Sequence, residues 1–295
     1  MTQYADSLFG PGSPLRAIGH RGAAAFAPEN TLPSFEHAVD VGADAVELDL
    51  HCSADGRLVV IHDPTLERTT DGAGPVEDRT LEELRRFDAG FAFTPDHGAT
   101  HPFRGRGVRI PTLEEVLETI GRLPVVAEVK SRRAGRAMGD WLQGASDRER
   151  IIVGGFERED VEPARRHARW GCAYTDELRS YVLAGKIGLG GLFAPGDVDA
   201  AMVPEKRGPL RVVTPRFVRR AHADGIGVFV WTVNRPDDIR RLFDWGVDGL
   251  VSDAPGRVRR VLDERAAAAL GAAAVATSPG GSGDRADTTP APEAT

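Results

Sequence analysis

Residues 44–63 read DAVELDLHCSADGRLVVIHD, and the fold turns on whether this stretch is one strand or two. Val46, Leu48 and Leu50 alternate with Glu47, Asp49 and His51, the period-two pattern of a strand. Asp55-Gly56 breaks the run with a hairpin signal, and RLVVIHD resumes it as far as His62 and Asp63. A parallel return needs a crossover of about a dozen residues or more, so the second run is antiparallel to the first. If Asp55-Gly56 is a two-residue turn, Asp49 pairs with His62 across the hairpin.

Outward from this hairpin, further short apolar runs lie at 15–20, 124–130, 150–156, 172–175, 188–194, 226–233 and 248–253. Between them, TLPSFEHAVDVG, TLEEVLETIG and PRFVRRAHADG space their apolar residues by three and four, as helices do. Without the antiparallel arm, eight parallel strands remain in alternation with helices. That predicts an α/β chain folded as a (β/α)8 TIM-type barrel, with a β-hairpin and a short insertion at the C-terminal mouth. No Gly-x-Gly-x-x-Gly follows a strand, which argues against a doubly wound nucleotide-binding sheet. The predicted bounds are a flexible arm at 1–14, a barrel at 15–265 with residues 64–110 inserted at its mouth, and a tail at 266–295. The tail is Ala-rich, then Gly/Ser/Pro/Thr-rich, and from about Ser278 it has the composition of a disordered segment.

Composition narrows the function classes. The 295 residues are 41% hydrophobic and 27% charged, as in ordinary globular domains, and the formal net charge of −7 is wrong for a nucleic-acid partner. Cys52 and Cys172 form neither a disulfide framework nor a zinc pattern. No apolar run reaches the roughly 18 residues of a membrane helix, so no stable membrane insertion is expected. The N-terminus lacks a secretory pattern, which makes the expected location cytoplasmic.

Chemistry in such a barrel collects at the C-terminal strand ends. His20 and Arg21 end the first strand, Glu47 and Asp49 lie on the second, Glu128 and Lys130 end the third, and Trp231 lies at the end of the seventh. Residues two apart on a strand share a face, so Glu47 joins Asp49 and Glu128 joins Lys130. Converging carboxylates repel one another at low dielectric, and a divalent cation relieves them. All-oxygen ligands suit Mg2+ or Ca2+, with Mn2+ as a further candidate. The plainer alternative is that Glu47 and Asp49 pair with lysines or face solvent. His20 and His62 both fall at mouth positions and titrate near neutrality, which suits general acid–base work. His51 shares the carboxylates' parity but lies further out. Arg21 and Lys130 would neutralise a bound anion such as phosphate.

The stretch GHRGAAAFAPENTLPSFEHAVDVGADAVELDLHCSADGRLVVIHDPTLERTTDGAG resembles the opening signature of glycerophosphodiester phosphodiesterases. PTLEEVLE, VVAEVK and VFVWTVNRPDDIRRLFDWGVDGLVSDAPGRV are similar to the family's later blocks. The likeness spans about residues 15–257 and implies a (β/α)8 barrel that hydrolyses glycerophosphodiesters to sn-glycerol 3-phosphate and an alcohol. It implies a cation held by Glu47, Asp49 and Glu128, an acid–base pair of His20 and His62, and phosphate contacts from Arg21 and Lys130. In the mechanism the resemblance implies, the glycerol 2-hydroxyl attacks phosphorus and expels the alcohol, and water then opens the cyclic phosphate. Trp231 is expected to pack on the glycerol or the leaving group. Glu29 and Asn30 in PENT are expected to shape the first loop, and residues 64–110 to adapt around the alcohol.

Two departures stand out. Ser53 replaces a frequent Thr and keeps the hydroxyl. Gly154-Gly155-Phe156 stands where relatives commonly carry Ser-Ser-Phe or Ser-Phe, which removes hydroxyls near the barrel interior. Two competing readings are a lysophospholipase D-type phosphodiesterase and a non-catalytic phosphodiester-binding barrel. The first wants an apolar groove or an interfacial helix, and no convincing one appears in the sequence.

Overall fold

Alternating side chains send every barrel strand's odd and even residues to different cores, and the chain exploits both. The computed structural model describes residues 8–14, 16–186, 192, 194–196 and 198–276. In chain order the strands are β1 (Ala17–Gly19), β2 (Ala45–Cys52), β3 (Leu58–Val60), β4 (Val125–Val129), β5 (Ile151–Gly154) and β6 (Trp170–Gly171). Then come β7 (Ala200–Pro204), β8 (Lys206–Arg207), β9 (Leu210–Arg211), β10 (Gly227–Trp231) and β11 (Gly249–Ser252). The helices are α1 (Leu32–Asp40), α2 (Leu81–Leu84), α3 (Leu113–Thr119), α4 (Arg132–Gly144) and α5 (Arg158–Arg165). They continue with α6 (Thr175–Lys186), α7 (Pro215–Ala223), α8 (Pro236–Asp244) and α9 (Pro255–Ala276).

Eight strands pair in the order β6-β5-β4-β2-β1-β11-β10-β7, every pairing in that path being parallel. The ring is completed between β6 and β7 by a single parallel bridge, Cys172 to Ala200. There the Ala173 N–H donates to the Ala200 carbonyl and the Asp199 N–H to the Gly171 carbonyl. This is the closed eight-stranded (β/α)8 barrel that the strand count predicts.

Inside the ring, Phe9, Ile18, Ala45, Val126, Ile152, Cys172, Phe229 and Val251 form a buried apolar layer. Outward residues such as Val46, Leu48, Leu50, Val125, Ala127 and Val153 pack under helices through Phe35, Leu113, Met138 and Val161. Each such large side chain contributes about 1.5–3 kcal/mol by leaving water. β2 is thus buried over its whole length, and its polar face is the barrel lumen rather than solvent.

Four expectations need correction. The hairpin register joins Leu50 to Val60 and His51 to Val59, and the Ile61 N–H donates to the Asp49 carbonyl. Asp49 therefore faces Ile61, not His62. The loop holds three residues because Gly56 takes a left-handed φ of 82° and Ser53 pairs with Arg57 around it. Next, β6 is Trp170–Gly171, two residues before the predicted 172–175 run. The predicted strand at 188–194 falls mostly outside the described residues, and the described strand that follows α6 is Ala200–Pro204. Its Ala-Ala start and terminal Pro hide it from a propensity reading. Finally, the described part of the 1–14 arm is packed: Phe9 is fully buried against Phe229, and the Gly12 N–H donates to Asp248 at 2.7 Å.

By compactness the chain divides into Met1–Val261, which holds the barrel, and Leu262–Thr295, whose described portion is helical through Ala276. The disorder expected from about Ser278 lies outside the described residues. Among the described residues, no helix is long and apolar enough to cross a membrane.

Candidate active site

Directly above the apolar layer, the same inward register turns polar. Ile18 is followed by His20, Ala45 by Glu47 and Asp49, Val126 by Glu128 and Lys130, Phe229 by Trp231, and Val251 by Asp253. The parallel register sets Asp49 beside Glu128. Glu47, Asp49 and Glu128 each offer an oxygen within 4.8 Å of the others.

Concentrating negative charge there has a cost that shows in the acidities. Burial pushes the Glu47 carboxyl up to about 8; Asp49 and Glu128 add to the rise, while His20 and the Arg21 N–H oppose it. Burial likewise raises Glu128, against the pull of Lys130. At Asp49 burial is outweighed, and Lys130 and Arg21 hold the carboxyl below its usual range. Lys130 Nζ bonds Glu128 Oε1 and stands 2.9 Å from Asp49 Oδ1. That buried oxygen meets the ammonium outside hydrogen-bond geometry. Asp49 Oδ2 accepts from Asn30 Nδ2 at 2.7 Å and lies 3.1 Å from Arg21 Nε. The Arg21 N–H donates to Glu47 Oε2 at 2.9 Å, an aim that a left-handed φ of 49° gives the backbone. A half-satisfied, all-carboxylate donor set matches a hard divalent cation. The lysine-pairing alternative describes part of the same cluster, because one ammonium serves two carboxylates and leaves Glu47 without a cationic side chain as close.

The two histidines lining the cavity are built alike. His20 Nδ1 lies 2.6 Å from Asp253 Oδ1, and its Nε2 edge is 4.0 Å from Glu47. His62 Nδ1 lies 2.6 Å from Asp63 Oδ1. In each case one ring nitrogen is held on a carboxylate and the other is left for chemistry. Burial lowers the His20 pKa, but the Asp253 hydrogen bond and Glu47 outweigh it, so the net shift is upward. Asn234 in turn donates to Asp253 at 2.6 Å. Asp253, Asn234 and Asp63 escaped the sequence reading as site residues; the Val251-x-Asp253 parity and the His62-Asp63 adjacency were the available signals. His51 does not line the cavity. It is buried behind the hairpin, with Nε2 at 3.2 Å from the His62 carbonyl.

The cavity, about 200 Å3, is lined by His20, Arg21, Glu47, His62, Glu128, Lys130 and Trp231 together with Phe156, Leu178 and Met202. Phe156 meets Trp231 edge-on at 6.0 Å, and Lys130 Nζ lies 5.6 Å from the Phe156 ring. None of residues 64–110 lines it. Leu66, Val76, Leu84 and Ile110 gather with Val59 of β3 into a satellite core. The apolar part of the wall comes from the segments after β5 and β6 and from Met202 on β7. From Phe156 and Trp231 an apolar groove of about 840 Å3 runs on past Leu178, Val182, Leu183 and Leu210. Those residues come from separate segments, which is why no single stretch of sequence announced a groove.

Comparison with known proteins bears on the family and the fold. Residues 20–152 and 191–257 match the profile of the Glycerophosphoryl diester phosphodiesterase family. A glycerophosphodiester phosphodiesterase of Caldanaerobacter subterraneus subsp. tengcongensis is 34% identical over 249 residues, 81% of this chain and 93% of the relative. One from Bacillus subtilis is 29% identical, covering 84% of this chain and 86% of its own. Among solved structures, an Oleispira antarctica phosphodiesterase in complex with the product sn-glycerol-3-phosphate aligns with a TM-score of 0.67 at 26% identity. That alignment covers 84% of this chain and 96% of the other. The glycerophosphoryl diester phosphodiesterase domain of a Mycobacterium tuberculosis protein shares the fold, with a TM-score of 0.75 at 23% identity, over 84% of this chain and 98% of that domain. On the profile match and the 34% identity, the chain belongs to the glycerophosphoryl diester phosphodiesterase family.

Proposed function

We propose that this phosphoric diester hydrolase cleaves glycerophosphodiesters to sn-glycerol 3-phosphate and an alcohol, using one divalent cation and two histidines. The observation that carries the reading is the meeting of Glu47, Asp49 and Glu128, the first and last of them lining one cavity with two aspartate-backed imidazoles and Asp49 buried behind them. Glu47, Asp49 and Glu128 would hold the cation, whose chemistry is to withdraw charge from the phosphoryl oxygens. Arg21 and Lys130 bring positive charge to the same anion. His20 and His62 exchange protons through Nε2 while Asp253 and Asp63 fix each ring by Nδ1. In the first step one imidazole removes a proton from the attacking glycerol 2-hydroxyl and the other supplies one to the departing alcohol. In the second their roles reverse as water opens the cyclic phosphate, so the protons balance with one water consumed. Trp231 and Phe156 give the apolar carbons a dry wall.

The test is a matrix of Mg2+, Ca2+ and Mn2+ against glycerophosphocholine, glycerophosphoethanolamine and glycerophosphoglycerol, with His20→Ala and Glu47→Ala as variants. Both variants are expected to keep the wild-type circular dichroism and lose about 10²–10⁴-fold in turnover, and chelation is expected to abolish it. Substantial activity in either variant refutes its assigned role, and no glycerol phosphate from any pairing raises the non-catalytic binding reading. The apolar groove beyond Trp231 favours one second reading, a single-chain lipid diester as substrate. Faster release of choline from a lysophosphatidylcholine than from glycerophosphocholine would establish it.

A further inference from the structure

Two segments meet at the mouth, the loop after β3 and the loop between β1 and α1, and one guanidinium on the first fastens it to the second. Arg68 Nε donates to Asp63 Oδ2 at 2.5 Å, and its Nη2 reaches Asp63 Oδ1 at 3.2 Å. The same fork donates through Nη1 and Nη2 to both oxygens of Glu29, at 2.8 and 2.7 Å. Asp63 is the carboxylate on His62 Nδ1, and Glu29 accepts from Arg21 Nη1 at 2.7 Å. A continuous chain of contacts therefore runs His62–Asp63–Arg68–Glu29–Arg21 and ends on Asp49. His62, Asp63 and Arg68 share the loop that follows β3, and Arg21 and Glu29 lie between β1 and α1.

We propose that Arg68 is a positioning residue for catalysis: it locks the proton-transferring His62 and the phosphate-facing Arg21 into one geometry by clamping Asp63 and Glu29 together. The proposal rests on the phosphodiesterase reading above. Arg68 lies outside the cavity lining and touches no reacting atom, so any effect must travel through its two carboxylates. A planar fork pairs with both oxygens of each carboxylate, four bonds in all; an ammonium can reach two carboxylates but has three donors on one atom and cannot reproduce that geometry. Misplacing either partner by about 1 Å is enough to cost about 100-fold in rate. Coulomb relief alone is a poor explanation, since Arg68 is 46% exposed and an exposed pair is weak. Geometry is what the contact supplies. It also gives residues 64–110 a part in the reaction, although they line none of the cavity.

The experiment compares Arg68→Met and Arg68→Lys with wild type on glycerophosphocholine, alone and combined with Asp63→Asn and Glu29→Gln. Both single variants are expected to keep the wild-type thermal midpoint within a few degrees while kcat falls about 10- to 100-fold. Lysine is expected not to restore it. Arg68→Met added to the Asp63→Asn/Glu29→Gln double variant is expected to change kcat less than twofold, because the shared route is already cut. Nitrogen-15 histidine spectra give a readout that needs no turnover: the His62 Nδ1 proton held on Asp63 is expected in wild type and lost in Arg68→Met. Full rescue by lysine, additive losses in the triple variant, or an unchanged His62 signal each overturn the proposal. If wild type turns over no diester while the His62 signal still depends on Arg68, it is the reaction assignment that fails and not the clamp.

Discussion

At the scale of single residues, what counts is which charges are held by partners and which are not. Asp63 shows the principle with a definite sign. Burial raises its pKa, but hydrogen bonds from Arg68 and His62 outweigh it and bring it down to about 2. An unfolded aspartate titrates near 3.9, so Asp63 contributes stability that is fully present above about pH 4 and lost as pH falls through about 2. Urea unfolding of wild type and Asp63→Asn from about pH 2 to 7 is therefore expected to show a gap that is constant above about pH 5 and closes toward pH 2. A gap that widened on acidification would contradict the assignment. Local pattern made the inward carboxylates legible, because the parity of Glu47-x-Asp49 and Glu128-x-Lys130 is a one-strand property. Asp253 offered only its strand parity, its partner His20 lying 233 residues away, and Arg68 offered no such signal, since Glu29 lies 39 residues away on another loop.

Elements fared unevenly for an equally physical reason. Amphipathic helical runs and alternating strand runs declare themselves, as α7 and β2 do. β6 and β7 do not, because pairing on both sides of a closed sheet holds strands too short or too Ala-rich to be recognised alone. The hairpin was found and its register missed by one, because a three-residue loop with a left-handed Gly56 is indistinguishable on paper from a two-residue Asp-Gly turn. At the end of β5, the two glycines that depart from the family pattern now differ from one another. A Cβ on Gly155 would come within 2.7 Å of the Val129 carbonyl and 2.5 Å of Val161, whereas one on Gly154 meets only Cys172 at 3.2 Å. Gly155→Ser is expected to cost about 1–3 kcal/mol in urea unfolding and Gly154→Ser distinctly less. Equal costs would show that the strand end moves freely.

For the molecule as a whole, the alternation of strand and helix was enough to name the architecture, while the wall of the cavity was not, because it is assembled from loops whose sequences carry no shared signal. The ring itself is unequal around its circumference. Between β2 and β4 five residue pairs are in register, whereas β6 and β7 meet at one. Amide exchange is accordingly expected to be faster at Ala173 and Asp199 than at Val46 and Asp49, and mass spectrometry of exchanged peptides checks it. In the strand order β2 is the fourth strand counting from β6 and β1 the fourth counting from β7, so Glu47, Asp49 and His20 lie across the ring from that weak link. Substrate would enter against the yielding side, past Met202 and Leu178. A hoop fastened by one clasp can spring there without disturbing the stones set opposite, and molecules of different girth can be admitted while the reacting groups keep their spacing.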